Sequence, residues 1–124
     1  MKFRIIALLC CALFVTPVLA NDAIVTMASV LVKLNHFPTE ADKQALSKIV
    51  DDKASDETDK QLAEIISGIA HRVSDKDKEI LRGMLFNEDL SDDTKAIAKT
   101  ILGIEHHPKD ADVEAMKKII EDAG

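Results

Sequence analysis

The chain has 124 residues and a formal net charge of −6, which disfavours nucleic acid and anionic membrane surfaces as partners. Its only two cysteines are Cys10 and Cys11, and it contains neither Trp nor Tyr. Thiol chemistry and disulfides are therefore excluded from the rest of the chain, and its stability must come from packing.

The first twenty residues have the pattern of a secretory signal peptide. Lys2 and Arg4 form a basic start, residues 5–15 are an apolar run, and a small residue, Ala20, stands at the expected cleavage site. The run is too short to span a bilayer. We therefore expect a periplasmic or secreted protein, with a single domain over residues 21–124 and no membrane insertion after cleavage.

Residues 21–124 repeat with a period of 35 and without insertions. The register is clearest in two sets of identical residues: His36, His71 and His106, and then Asp42, Asp77 and Asp112. The repeats cover about 21–55, 56–90 and 91–124. Self-similarity at such a period is typical of architectures in which each repeat is one supersecondary unit.

Each repeat begins with residues that suit the start of a helix. The equivalent residues Asn21, Asp56 and Ser91 are all good N-caps, because their side-chain oxygens accept a free backbone N–H. Apolar residues then recur at helical spacing on one face. The equivalent sets are Met27/Leu62/Ile97, Leu31/Ile66/Ile101 and Leu34/Ile69/Ile104, with Ala28/Ala63/Ala98 beside them. This spacing predicts a first helix that ends near the histidine.

A second helix is predicted directly after the histidine. Thr39 and Ser74 each precede an Asp by three residues, as in a capping box, whereas the third repeat has Lys109 at this position. The apolar positions again form one helical face. They are Ala45/Ile80/Ala115, Leu46/Leu81/Met116, Ile49/Met84/Ile119 and Val50/Leu85/Ile120. The third repeat should start its second helix less firmly than the others.

The sequence therefore predicts an all-α protein of three tandem helix–turn–helix repeats, with about six helices, as a short α-solenoid or a compact helical bundle. The first helix is apolar on nearly all sides, and Ile24, Val25 and Val32 extend its apolar surface. Either the repeats close around this helix or another molecule covers it. These three residues are the candidate interaction surface.

His36, His71 and His106 are weak candidates for metal ligands. Neighbouring helices lie 8–10 Å apart, so equivalent rings in stacked repeats are expected to be too far apart to share one ion. A structural role in the last helical turn, where imidazole can bond a free carbonyl, is the preferred interpretation. We accordingly predict no resident metal or cofactor.

Catalytic motifs are not evident in the sequence. The acids that follow each histidine lack the glycine and the loop length of a calcium site, and they fit the negative charge preferred at a helix start. No phosphate-binding glycine loop or serine nucleophile motif occurs. The prediction is that the protein is not an enzyme.

The sequence does not identify a family. Helical repeats bind through extended surfaces, so the preferred function is a protein- or peptide-interaction module whose partner is another protein or a second copy of the chain. Two alternatives stay open. One is a small-ligand or metal carrier that uses the row of histidines, and the other is a periplasmic stress holdase.

Overall fold

The computed structural model describes residues 22–123, and the predicted signal peptide lies outside this range. This part of the chain contains six helices and no strand. They are α1 (residues 22–32), α2 (Glu40–Asp51), α3 (Glu57–Ser67), α4 (Asp75–Leu85), α5 (Asp92–Leu102) and α6 (Asp110–Ala123). The predicted all-α class is confirmed, with one helix pair in each repeat. None of these helices has the length and apolarity needed to cross a membrane.

Most of the predicted helix starts carry the expected cap. The side chains of Asp56 and Ser91 accept hydrogen bonds from backbone N–H groups three residues later in α3 and α5. Thr39 and Asp42 form a complete capping box at the start of α2. The side chain of Ser74 accepts one hydrogen bond, from the backbone N–H of Asp77 in α4. Asn21 lies outside the described residues.

The core is made of the predicted apolar positions with one exception: Ala45 and Ile80 are only partly buried, and their equivalent Ala115 is exposed. The sets at 27/62/97, 28/63/98, 31/66/101, 34/69/104, 46/81/116 and 49/84/119 are all buried. The positions at 50/85/120 pack against this core and are partly buried. One continuous cluster therefore includes residues of all three repeats, as expected when no single helix pair can bury its own apolar face.

The three repeats close on one another. In the first two repeats, the second helix packs against the first helix of the next repeat, α2 on α3 and α4 on α5. In the third repeat α6 packs against α5, and α3 also touches α5. The backbone N–H of His36 in the first repeat donates to the carbonyl of His106 in the third. An open stack would keep these two repeats apart. The arrangement is therefore a compact bundle with an approximate three-fold axis.

Closure of the bundle accounts for much of the apolar surface of α1. Met27, Leu31 and most of the other apolar side chains of this helix are buried within the chain. The candidate interaction residues Ile24, Val25 and Val32 are partly buried. Ile24 and Val32 pack against the core, and Ile24 and Val25 line a cavity at the start of the helix.

Candidate functional site

The turn between the two helices of each repeat holds its histidine between two buried anchors. The residues two positions before the histidines are Leu34, Ile69 and Ile104, and those two positions after are Pro38, Val73 and Pro108, all buried. The helix on the other side of the turn is fixed by its N-terminal cap in the first two repeats. The histidine backbone is therefore held in place from both directions.

All three histidines adopt a left-handed backbone conformation. Their φ angles are 70° for His36, 68° for His71 and 73° for His106, and no other non-glycine residue in the described chain has a positive φ. In the first repeat, the N–H of Phe37 donates to the carbonyl of Asn35 across the histidine at 2.8 Å. This is the pattern of a γ-turn with positive φ, a rare and strained turn. A conformation of this kind typically costs about 1–3 kcal/mol per residue.

A ring of backbone hydrogen bonds joins the three turns. The N–H of His36 donates to the carbonyl of His106, that of His71 to His36, and that of His106 to His71, at 2.5, 2.6 and 2.6 Å. Each histidine donates once and accepts once. The strained turns are therefore tied to one another at the axis, which explains how the surrounding structure maintains them.

The ring of turns brings the three imidazoles together. Every pair of ring centroids lies 5.0 Å apart, and the rings meet edge to face. The Nδ1 atoms of His71 and His106 are separated by 3.1 Å. The expectation that helix–helix spacing separates equivalent rings is therefore wrong. It assumed a linear stack, whereas the repeats surround an axis and their turns converge on it.

The spacing of the imidazoles matches what one metal ion needs. One ring nitrogen from each histidine can be chosen so that all three lie within 4.8 Å of one another. Two nitrogens on one tetrahedral zinc, each about 2.0–2.1 Å from the ion, are about 3.3–3.4 Å apart. The Nδ1 pair of His71 and His106 is already close to that separation. No other group of three histidine or acidic side chains between residues 22 and 123 converges in this way.

The imidazole cluster opens to solvent. His71 and His106 are exposed and His36 is partly buried, and a cavity of about 280 Å³ beside them is also lined by Arg72 and Glu105. A trio of ligands open on one side leaves a coordination position for water or another molecule. The neighbouring His107 does not belong to the cluster, and its Nδ1 donates to the carbonyl of Pro108 at 3.0 Å.

The acids that follow each histidine do not join this cluster. Asp42 is buried at the start of α2, where burial raises the pKa of its carboxyl, but hydrogen bonds from Thr39 and the ion pair with Lys33 outweigh that effect and lower the pKa. Asp77 and Asp112 occupy the first turns of α4 and α6. These positions agree with the predicted role of negative charge at a helix start.

No protein-family model, curated protein or solved structure matches this chain. What the cluster does must therefore be inferred from its chemistry.

Proposed function

We propose that the protein binds a divalent transition-metal ion, with zinc the best fit, through His36, His71 and His106. The observation that carries the proposal is the convergence of three imidazoles, one from each repeat, at 5.0 Å between ring centroids. Imidazole is a preferred ligand of zinc, copper and nickel. Three histidines with an open fourth position form a recognised zinc ligand set.

The backbone conformation supports a role for these side chains beyond packing. Glycine is the usual residue at positive φ, because it has no Cβ to clash. This chain has histidine at all three strained positions and glycine at none of them. Strained residues cluster where a site requires a fixed geometry. Ligands held in place before binding lose less conformational freedom when the ion arrives.

The charge of the protein favours cation binding. The chain carries a formal charge of −6, and a negative field raises the local concentration of cations. The open face of the cluster suits a carrier, because an ion with a free coordination position remains accessible to an exchanging ligand. If the leader is removed as its sequence predicts, the proposed carrier works outside the cytoplasm. The proposal includes no catalytic step.

Calorimetric titration with zinc at neutral pH tests the proposal. We expect one ion per chain with a dissociation constant below about 1 μM. The triple variant His36→Asn, His71→Asn and His106→Asn should lose this binding, since Asn tolerates positive φ but does not replace imidazole as a ligand. Zinc binding should also release protons and weaken in acid, because metal ligands bind in their deprotonated form.

The fourth histidine provides a matched control. His107→Asn removes an exposed imidazole one residue from His106 while leaving the cluster intact. Its zinc affinity should equal that of the unmodified chain. Zinc binding lost equally in His107→Asn and in the triple variant, or no zinc binding by the unmodified chain, would refute the proposal.

A second candidate function is the binding of a protein or peptide partner. The observation that favours it is two large apolar side chains left in solvent, Phe37 at 60% and Phe86 at 84% exposure. Phe37 directly follows His36, so a partner seated there would lie beside the cluster. Isolated apolar side chains are normal on protein surfaces, which is why this function ranks second. Self-association lost on Phe37→Ser or Phe86→Ser in sedimentation experiments would support it.

A further inference from the structure

A cavity of about 470 Å³ lies at the opposite end of the first helices from the histidines. The starts of α1, α3 and α5 and the end of α6 surround it. Among residues 22–123, four carboxylates and no lysine or arginine line it. They belong to Asp56, Asp59, Asp93 and Asp122. Its volume is within the usual range for small-molecule sites.

The distinctive residue of this acidic cavity is Asp59. Only 6% of its surface is exposed, and no residue between 22 and 123 donates a hydrogen bond to its carboxylate or forms an ion pair with it. Because no fully buried polar side-chain atom in this range lacks a partner, the carboxylate oxygens face the cavity. Burial and the neighbouring Asp56 raise the pKa of this carboxyl to about 6. Ile24 and Thr94 occupy the equivalent positions in the other two repeats. The acid is therefore not required by the repeat pattern.

We infer that the acidic cavity binds a small organic cation, a protonated aliphatic amine or diamine, whose ammonium group pairs with the Asp59 carboxylate. A largely buried carboxylate that opens only onto a cavity gains most from a ligand that supplies both charge and hydrogen-bond donors. Part of the cavity wall is apolar, formed by Ile24, Val25, Ile119 and Ala123. A short alkyl chain can pack against that wall while its ammonium faces the acids.

The geometry favours an organic cation over a metal ion. A metal needs several ligand atoms converging at about 2.0–2.6 Å from one point. In the described chain, the three histidines form the only group of at least three potential metal ligands whose ligand atoms converge. The carboxylates of this cavity therefore do not converge on one point. An ammonium with an alkyl chain needs only one carboxylate contact together with apolar surface.

The helix ends around the cavity do not reverse its preference for a cation. The positive ends of helix dipoles attract anions, but each is worth only about half an elementary charge. In α3 and α5 the caps Asp56 and Ser91 already accept hydrogen bonds from free N–H groups. Four carboxylates therefore dominate the local charge.

Calorimetric titration of the full chain with 1,4-diaminobutane at low salt tests this inference. We expect saturable binding at one site, weakened roughly tenfold or more by Asp59→Asn, since a hydrogen-bonded charge contact is lost. Asp89→Asn is the matched control, because it removes the same charge from an exposed linker and should leave affinity unchanged. The uncharged analogue 1,4-butanediol should not bind, and Mg²⁺ at equal concentration should not displace the diamine.

Three results would overturn the inference: no saturable binding, equal weakening by Asp59→Asn and Asp89→Asn, or displacement of the diamine by equimolar Mg²⁺. Far-UV circular dichroism verifies the fold of each variant. Asp59→Thr, which introduces the residue found at the equivalent Thr94, serves as a second variant should Asp59→Asn fail to fold.

Discussion

The Lys33 ammonium lies 3.2 Å from the Asp42 carboxylate, and this ion pair joins the end of the first helix to the start of the second in the first repeat. Glycine stands at both equivalents of Lys33, Gly68 and Gly103, so the second and third repeats have no such link at this position. Asp42 also bonds the backbone N–H of Thr39. One buried carboxylate therefore serves both the ion pair and the helix cap.

Replacing this carboxylate should destabilise the protein more than replacing its lysine. Asp42→Ala removes both the cap and the pair and should lower the free energy of unfolding by about 1–2 kcal/mol. Lys33→Met should cost less than about 0.5 kcal/mol, because the lysine side chain is 64% exposed. Urea denaturation followed by far-UV circular dichroism measures both. Equal losses of stability in the two variants would contradict the larger role of the Asp42 carboxylate.

Asp42 and Asp59 should give opposite contributions to acid stability. The pKa of Asp42 is lowered by folding, so its stabilisation is present above its unfolded pKa and is lost as the pH falls through the folded value. The pKa of Asp59 is raised from 3.8 to about 6, so the folded state binds its proton more tightly than the unfolded state does. Its destabilising effect therefore develops as the pH rises from about 4 to about 6.

Replacing Asp59 should accordingly stabilise the protein at neutral pH. A pKa difference of about two units corresponds to at most about 3 kcal/mol, so we expect Asp59→Thr to raise the free energy of unfolding by about 1–3 kcal/mol at pH 7. The gain should shrink as the pH falls to about 4, where the acid is protonated in the folded chain. Urea denaturation at both pH values checks this. A gain that is the same at both would show that charge burial is not its cause.

Substitutions at His71 should separate backbone strain from ligand chemistry. Without metal, His71→Gly should change stability by less than about 1 kcal/mol, because relief at positive φ offsets the lost ring contacts. His71→Val should cost about 2 kcal/mol or more, since a β-branched side chain is strongly disfavoured there. Thermal unfolding with and without zinc measures both effects. Zinc should stabilise only the unmodified chain, and similar stability of the two variants would argue against strain.

The third repeat offers a stabilising substitution. Lys109 occupies the position where Thr39 and Ser74 cap α2 and α4 with their hydroxyls. Lys109→Ser should supply the missing cap to α6 and raise the free energy of unfolding by about 0.5–1 kcal/mol. Ser74→Ala is the complementary control and should lower it by a similar amount. A loss of stability in Lys109→Ser, measured by urea denaturation, would show that α6 does not use this kind of cap.

The helices and the core could be predicted from the sequence because both depend on local spacing. The apolar positions at 31, 66 and 101, for example, identify the buried face whatever surrounds it. Helix caps such as Ser91 could be predicted from the sequence for the same reason. Hydrogen bonds between a side chain and a backbone N–H three residues later need no knowledge of the rest of the fold.

The cluster of imidazoles could not be predicted in this way. Its geometry depends on how far each repeat is rotated from the previous one, which is a property of packing between repeats. Two signals in the sequence do bear on it. Histidine is enriched at positive φ among non-glycine residues, and it recurs here at the turn of every repeat. The almost entirely apolar α1 also made closure of the repeats one of the two predicted alternatives.

The ring of hydrogen bonds among His36, His71 and His106 makes the order of the repeats along the chain dispensable. Each turn contacts the other two equally, so no repeat is first or last in space. Val25 and Ala123, near the two ends of the described chain, line the same cavity. A circular permutant opened between α2 and α3, with residues 22 and 123 joined by a short linker, would therefore retain every bond of the ring.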